Sequence, residues 1–579
     1  MSAPAWELGQ AYASDDEVRA EAATLPGRCH ALAAEAATLL ARDAASFVAA
    51  LGALRQDVEH LRDYGRMRQY ADAEGSRAVV GVALGAALEA SAALDRALDV
   101  WAALPSERAD AALALPSLAE ARHVLSRARA LAPHRLSPTE ERVWAARDDS
   151  GRGRWESLHE QVEASVRVVF DTGTGERPVG LGQLGAACRH PDHALRRSAY
   201  TALAAAYGGI ADLVASCWDA AVTDRLAENG LRDRVHPAQA TLDEEELPLA
   251  GLESLVAATT DGLGLRHRLL DVQADLLGVD TLVGADVDAE PSGLPAIGWE
   301  DAWAASVAGL RALHGPLGEE AEALLAAGRV DLQSRAGKQA YAVTFQTRLD
   351  PPAYLSASFG GRVSNVTTIG HELGHAVALG AARRARAPIA RGWPGVVFEV
   401  PSLLGELATG DVLTATARPE HRPGIAVATL QDICWSVFEA TAFCRVELAL
   451  YADRAGGRSL TAERILGALR EGWRTLLGPR VTVSEEDALV AMASWAGYGV
   501  SYRFYNFQYA VGALTALALL GRRTADPERF AAELPPFLAG GRVASPTALL
   551  APFGLELGSR ALWDEGLVEL GRRIESVTL

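Results

Sequence analysis

The 579-residue sequence predicts a mainly α-helical fold carrying one small antiparallel β-sheet. Three observations predict it. Apolar residues recur at three and four spacing through stretches rich in Ala, Leu, Arg and Glu from about residue 17 to 132. The same helical character returns after Pro423 and continues to the C-terminus. Between them the apolar period drops to two over residues 341–359, which is the period of a strand.

In the first region Leu39, Leu40, Phe47, Val48, Leu51 and Leu54 form one stripe, and Val79 to Leu98 carries another. Both read as core-facing helix surfaces. Leu136-Ser137-Pro138-Thr139-Glu140-Glu141 reads as a helix start, with Ser137 as N-cap and Pro138 at the first helical position. Asp148-Asp149-Ser150-Gly151-Arg152-Gly153 is a turn-rich break, after which helices are expected to resume. His190-Pro191-Asp192-His193 reads as a helix entry, because no carboxylate or cysteine cluster completes its two histidines as a metal site. Thr241 to Gly251 and Gly284 to Gly298 read as loops, with Asp243-Glu244-Glu245-Glu246 a solvated face. Tyr341, Val343 and Phe345 alternate, and so do Leu355, Ala357 and Phe359 beyond Leu349-Asp350-Pro351-Pro352, giving two short antiparallel strands. Trp435, Phe438 and Phe443 read as core aromatics of the C-terminal helices.

Composition narrows the functions. A formal net charge of -19 disfavours nucleic acid and anionic membrane as partners. The five cysteines, Cys29, Cys188, Cys217, Cys434 and Cys444, form no CxxC pair, so they read as reduced, mostly buried thiols. The longest apolar run, Ala510 to Gly521, is too short to span a bilayer, and the N-terminus does not read as a signal peptide. A cytoplasmic location is expected.

The chemistry concentrates in Thr367-Thr368-Ile369-Gly370-His371-Glu372-Leu373-Gly374-His375, an HExxH run. On a helix, residues four apart share a face, so His371 and His375 can present two imidazole nitrogens to one tetrahedral zinc ion. Glu372 then lies beside the ion, placed to take a proton from bound water and pass it to a leaving amine. Glu399, 24 residues after His375 on a second expected helix, can supply a third ligand. Glu406 lies two turns further along roughly the same face, where it can hold a ligand histidine by its other ring nitrogen.

Arg335-Ala336-Gly337-Lys338 with Gln339-Ala340-Tyr341, then Pro352-Ala353-Tyr354-Leu355, Asn365-Val366-Thr367-Thr368, the HExxH run and Glu399-Val400-Pro401-Ser402 together resemble the thimet oligopeptidase and oligoendopeptidase F family of zinc metallopeptidases. The likeness runs from Trp6-Glu7-Leu8 to Phe504-Tyr505-Asn506-Phe507 and is nearest to the bacterial oligoendopeptidase F branch. It implies a two-lobed helical zincin with a deep central channel and the small sheet beside the zinc helix. The expected organisation is an N-terminal helical region over residues 1–190 and a catalytic region over 191–579.

The resemblance also implies that tyrosines near the C-terminus steady the oxyanion formed when water attacks the amide. Tyr505 is the first choice and Tyr498 the second. Tyr502 is expected to touch substrate, and Gly360-Gly361 to keep the approach to the sheet edge free of side chains. The family usually carries a histidine just ahead of these tyrosines. Here it would fall at Ala496 or near Val500, and no histidine follows His421. The expected function is that of a one-zinc endopeptidase cutting short unfolded peptides. The alternatives are a maturation or biosynthetic hydrolase for one dedicated peptide and a catalytically weak zinc-containing peptide binder.

Overall fold

The structure, a computed structural model, describes residues 2–577 except 73, 149, 173, 174, 336 and 340, and leaves the Pro138 side chain undescribed. Asp149 of the expected break and Ala336 and Ala340 of the stretch before the first strand thus lie outside the described residues. Helices dominate, as the apolar spacing predicts, and the sheets are small. Contacts divide the chain into two units. One comprises Met1–Pro133, Pro295–Thr416 and Leu519–Leu557, and the other His134–Leu294, Ala417–Ala518 and Gly558–Leu579.

The first unit begins with three long helices, α1 (Asp15–Arg42), α2 (Ala44–Ala71) and α3 (Arg77–Ala102). The stripe from Leu39 to Leu54 is split at Asp43, whose carboxylate accepts the Ala45 and Ser46 amides and so caps α2. By length and composition α3 could cross a membrane. Its Val79, Ala83, Ala87, Ala90, Leu94, Ala97 and Trp101 nevertheless form a buried face at helical spacing that packs on α1 and α2. The N-terminal segment is tied down by the Leu332 amide, which donates to the Pro4 carbonyl at 2.8 Å, and by Trp6, whose ring lies 6.2 Å from Phe345 and 6.1 Å from Tyr354.

The sheet of this unit has the order β1 (Val330–Asp331), β3 (Ala353–Ser356), β2 (Val343–Gln346). β2 and β3 are antiparallel, as expected, and β1 adds a parallel strand that the alternation did not reveal. The second strand starts earlier than its alternation suggests. The Thr347 amide bonds to the Pro352 carbonyl at 2.6 Å, so pairing is already established at Ala353, and Ala357 and Phe359 lie beyond the strand. As the central strand, β3 is buried on both faces and need not alternate. Tyr341 lies before β2 and is 76% exposed.

After Gly361, whose φ of 79° suits glycine, the chain enters α4 (Val363–Ala385) and then α5 (Gly395–Thr416).

In the second unit the helix start at Pro138 forms as predicted, with the Ser137 amide and the Glu140 carboxylate 2.9 Å apart. Asp192 caps the helix that starts at His193 by accepting the Leu195 amide at 2.8 Å. Helices resume from Arg152 as expected, with one strand pair added among them, and one loop expectation is corrected. After Arg152–Ser165 the chain forms a β-hairpin, Val168–Asp171 with Glu176–Val179, whose short and largely exposed strands give almost no apolar period. Thr241 to Gly251 is mostly helix rather than loop: Gln239–Glu245 forms one, with Thr241, Leu242 and Glu245 buried, and another starts at Leu249. Glu245 therefore leaves the solvated face assigned to its acidic run. The turn between the two helices is made by Glu246 at φ 59°.

The helix Ala440–Ala455, α6, buries Glu447, which is 1% exposed. Burial pushes its carboxyl up to about 8, against the Phe504 amide that it accepts and the charge of Arg225. Cys444 and Tyr451 also interact with it. An acid whose carboxyl titrates higher in the folded chain than at its ordinary 4.5 stabilises the fold fully below 4.5, and that contribution is lost as pH rises through about 8. Glu439, which burial raises to about 7 against the pull of Arg266, acts in the same direction. The melting temperature is therefore expected to fall from pH 6 to pH 9, and Glu447→Gln to flatten that fall by an amount on the order of a few kcal/mol. Thermal melts across that range check it.

Candidate metal centre

One turn of helix separates His371 from His375, and α4 holds both rings on one face with centroids 5.0 Å apart. The start of α4 is fixed by Asn365, whose side-chain oxygen accepts the Gly360 amide at 2.9 Å and the Arg362 amide at 3.3 Å. Beside it α5 approaches backbone to backbone. A Cβ on Gly374 would lie 2.5 Å from Ser402 Cα and 2.6 Å from the Pro401 carbonyl carbon, and one on Gly405 would overlap the Gly370 carbonyl. Only glycine permits that crossing. It brings Glu399 and Glu406, two turns apart on α5, up to the histidines of α4.

Glu399 Oε2 lies 3.4 Å from His371 Nε2 and 3.6 Å from His375 Nε2. One ligand atom from each of the three residues falls within 4.8 Å of the others. Ligands bonded tetrahedrally to zinc at about 2.0–2.1 Å stand about 3.3–3.4 Å from one another, so the observed separations fit such an ion with little adjustment. Two imidazole nitrogens and one carboxylate oxygen are also the donor set of a catalytic zinc site with one position left open. Glu406 Oε2 lies 2.9 Å from His371 Nδ1 and accepts its proton, which leaves the Nε2 lone pair directed at Glu399 and the site.

The electrostatics suit a cation. Burial raises the Glu399 carboxyl, but His375 and His371 beside it and a hydrogen bond from Ser402 outweigh burial and hold it down at about 2. Burial takes His375 down to about 4 against the pull of Glu399, so its ring is neutral and able to ligate. His371 moves the other way, since its bonds to Glu399 and Glu406 outweigh burial and favour a positive charge at that point. A bound divalent ion would supply that charge instead.

Glu372 is 6% exposed, and burial pushes its carboxyl up to about 7 while His371 and a bond from Thr344 pull it down. Thr344, on β2, places its hydroxyl 2.7 Å from Glu372 Oε2 and 3.0 Å from the Glu372 carbonyl, donating to one at a time. The strand thus sets the angle of this carboxyl. Residues missed in the sequence therefore include Thr344, Ser402 and Phe398, whose ring lies 4.3 Å from that of His375. Ser402 was findable, because it stands one turn after Glu399. Thr344 and Phe398 depend on how separate elements pack. Glu406→Gln is expected to weaken metal affinity by about 10- to 100-fold while leaving the fold intact, as titration against a competing chelator would read.

Gly360 and Gly361 form the turn between β3 and α4. The Gly361 carbonyl accepts the Ile297 amide at 2.9 Å, so both residues are engaged by the protein's own backbone and by Asn365. Tyr498 and Tyr502 bound a π-helical turn in the second unit, and Tyr505 follows it. Their rings cluster: Tyr498 and Tyr505 lie 6.4 Å apart and 15° from parallel, and Tyr502, 62% exposed, is 5.7 Å from Tyr505. Ala496 and Val500, the two positions at which a histidine was expected, are fully buried.

Comparison with known proteins gives the family of the chain. The profile of Peptidase family M3 matches residues 268–569, more than half of the chain, and that of Oligopeptidase F matches residues 101–167. The chain belongs to peptidase family M3. Within M3 it falls in the oligoendopeptidase F group, and it is a metallopeptidase. Group B oligopeptidase PepB of Streptococcus agalactiae is 23% identical over 475 residues, which covers 79% of this chain and 77% of that protein. Oligopeptidase PepF of Bacillus subtilis is 22% identical over 438 residues, 74% of this M3 chain and 64% of its own. In fold, the M3 chain is similar to the crystal structure of oligoendopeptidase-F from Enterococcus faecium, with a TM-score of 0.71 at 17% identity over 97% of this chain and 98% of that one.

Proposed function

We propose that this M3 peptidase is a zinc-dependent endopeptidase that hydrolyses peptide bonds in short unfolded oligopeptides. The observation that carries the reading is the convergence of His371 Nε2, His375 Nε2 and Glu399 Oε2 on one point beside the buried Glu372 carboxyl. His371, His375 and Glu399 would hold the ion, and Glu406 would orient His371. When bound, zinc acidifies a coordinated water and polarises a carbonyl.

The chain's own residues supply the proton chemistry. Glu372 accepts a proton from the attacking water and passes it to the departing amine, and a carboxyl that burial brings near neutrality suits both steps. Thr344 holds it in place for them. Tyr505 and Tyr498 donate phenolic hydrogen bonds to the oxyanion, and Tyr502, being exposed, contacts the peptide. β2 is one of the two edge strands of its sheet. The Gln346 amide is taken by Asp63 at 3.3 Å and the Arg348 amide by His60 at 3.4 Å, so main-chain pairing with an extended peptide is confined to the end near Thr344. The turn at Gly360 and Gly361 contributes by carrying no side chain.

The test is mass spectrometry of a pool of short peptides incubated with zinc-loaded protein, alongside Glu372→Gln and a chelated sample. Cleavage of many sequences, abolished in both controls, is expected. Binding of peptides and zinc with no cleavage would overturn the reading.

A further inference from the structure

Tyr505 is reached through two consecutive residues in a backbone conformation that side chains disfavour. Arg503 has φ 38° and Phe504 φ 60°, and neither is glycine. A left-handed pair of this kind persists only where its surroundings over-determine it, and such pairs gather at functional sites. Arg503 and Phe504 are each 1% exposed, so the turn is enclosed on all sides.

Four hydrogen bonds hold it. The Arg503 amide donates to the Tyr498 carbonyl at 2.8 Å, and the Thr241 hydroxyl donates to the Arg503 carbonyl at 3.1 Å. The Arg503 guanidinium donates to Glu156 at 3.2 Å. Last, the Phe504 amide donates to Glu447 Oε1 at 2.8 Å, a side chain 57 residues away on α6. The Phe504 ring packs 4.9 Å from Tyr451, one turn further along the same helix. The first bond spans from Tyr498 to the turn before Tyr505, so the turn also sets the spacing of those two rings. Of the four, the bond to Glu447 reaches the centre of the left-handed pair, and no backbone carbonyl takes its place there.

We propose that Glu447 is a positioning residue for Tyr505. By accepting the Phe504 amide it fixes the left-handed turn and with it the direction of the Tyr505 phenol. This rests on the reading of Tyr505 as an oxyanion donor. Glu447 touches neither substrate nor metal in this role and acts only through the backbone of the turn.

The experiment is steady-state hydrolysis of a short internally quenched peptide by the full-length, zinc-loaded chain as Tyr505→Phe, Glu447→Ala, Glu447→Gln and the Tyr505→Phe, Glu447→Ala double variant. Tyr505→Phe is expected to lower kcat about 100-fold with little change in KM. Glu447→Ala should lower kcat about 10-fold, and Glu447→Gln, whose amide oxygen accepts the same bond, should keep most of the rate. In the Tyr505→Phe background Glu447→Ala should cost clearly less than its 10-fold in the parent, the remainder being what the turn does through Tyr498, because residues acting through one group are not additive.

If Glu447→Ala costs the same in both backgrounds, or nothing in the parent, the positioning role is wrong while the reading of Tyr505 stands. An unchanged kcat in Tyr505→Phe removes the reading of Tyr505 and the inference together. Should Glu447→Ala fail to fold, Thr241→Val, which removes the bond to the Arg503 carbonyl, carries the same comparison. Additive losses with Tyr505→Phe would overturn the proposal there as well.

Discussion

Glu372→Gln is expected to lower kcat by about 1,000-fold or more while zinc content and melting temperature stay near those of the parent. The amide matches the carboxyl in shape and can still accept the Thr344 hydroxyl, so the 2.7 Å bond survives. In the role proposed for Glu372, what would disappear is the capacity to take a proton from water and return it to the amine. His371, His375 and Glu399 are untouched, so the metal should stay. Zinc analysis together with single-turnover rates separates the two effects. A second readout is pH. In the parent, kcat/KM should fall on the acid side as the Glu372 carboxyl, near 7 without a cation and lower beside one, becomes protonated. In the variant that limb should vanish from the residual rate. Loss of zinc in the variant, or an unchanged rate, would contradict the assignment.

Gly374→Ala should be nearly as damaging for a different reason. The added methyl would meet the Pro401 carbonyl carbon at 2.6 Å and Ser402 Cα at 2.5 Å, both in backbone that cannot step aside. α4 and α5 must then part, and Glu399 retreats from the two histidine nitrogens that now stand 3.4 and 3.6 Å from its oxygen. Overpacking of this kind costs about 1–3 kcal/mol of stability. A shift of about 1 Å in one ligand is enough to take a zinc site outside its bonding tolerance, which is roughly 0.2 Å. The expected outcome is a folded protein with a lowered melting temperature and sharply weakened zinc binding. Retained zinc at parental affinity would show that the crossing can relax.

The centre was legible in the sequence to the extent that it depends on helix geometry. Four-residue spacing puts His371 and His375 on one face whatever surrounds them, and seven-residue spacing does the same for Glu399 and Glu406. The glycines at 370, 374 and 405 were visible as letters but not as a crossing, because close approach is a relation between two helices. The hold of Thr344 on Glu372 was hidden for the same reason. Elsewhere local composition misled. Asp243 to Glu246 looks like a polar loop, yet Leu242 and Glu245 are buried on a short helix, since burial is decided by what packs above a residue. The hairpin after Ser165 encloses only Phe170 and Val179, with Val168 partly covered, which is too few positions to show a period. The left-handed conformation at Arg503 and Phe504 has no signature, because glycine or asparagine would ordinarily announce it.

The two helices of the candidate centre also have a bearing on how the chain acquires its structure. His371 and Glu406 are only 35 positions apart, in a helical hairpin closed by the short connection from Arg386 to Pro394. The entropy lost in closing so short a loop is small and grows only logarithmically with length, whereas Leu332, just after β1, must engage Pro4, more than three hundred residues upstream. Contacts of low sequence separation form first. The hairpin is therefore the part of this unit best able to gather its ligands early in refolding, and an ion captured at that stage would tether the two helices while the distant N-terminal segment is still finding its place.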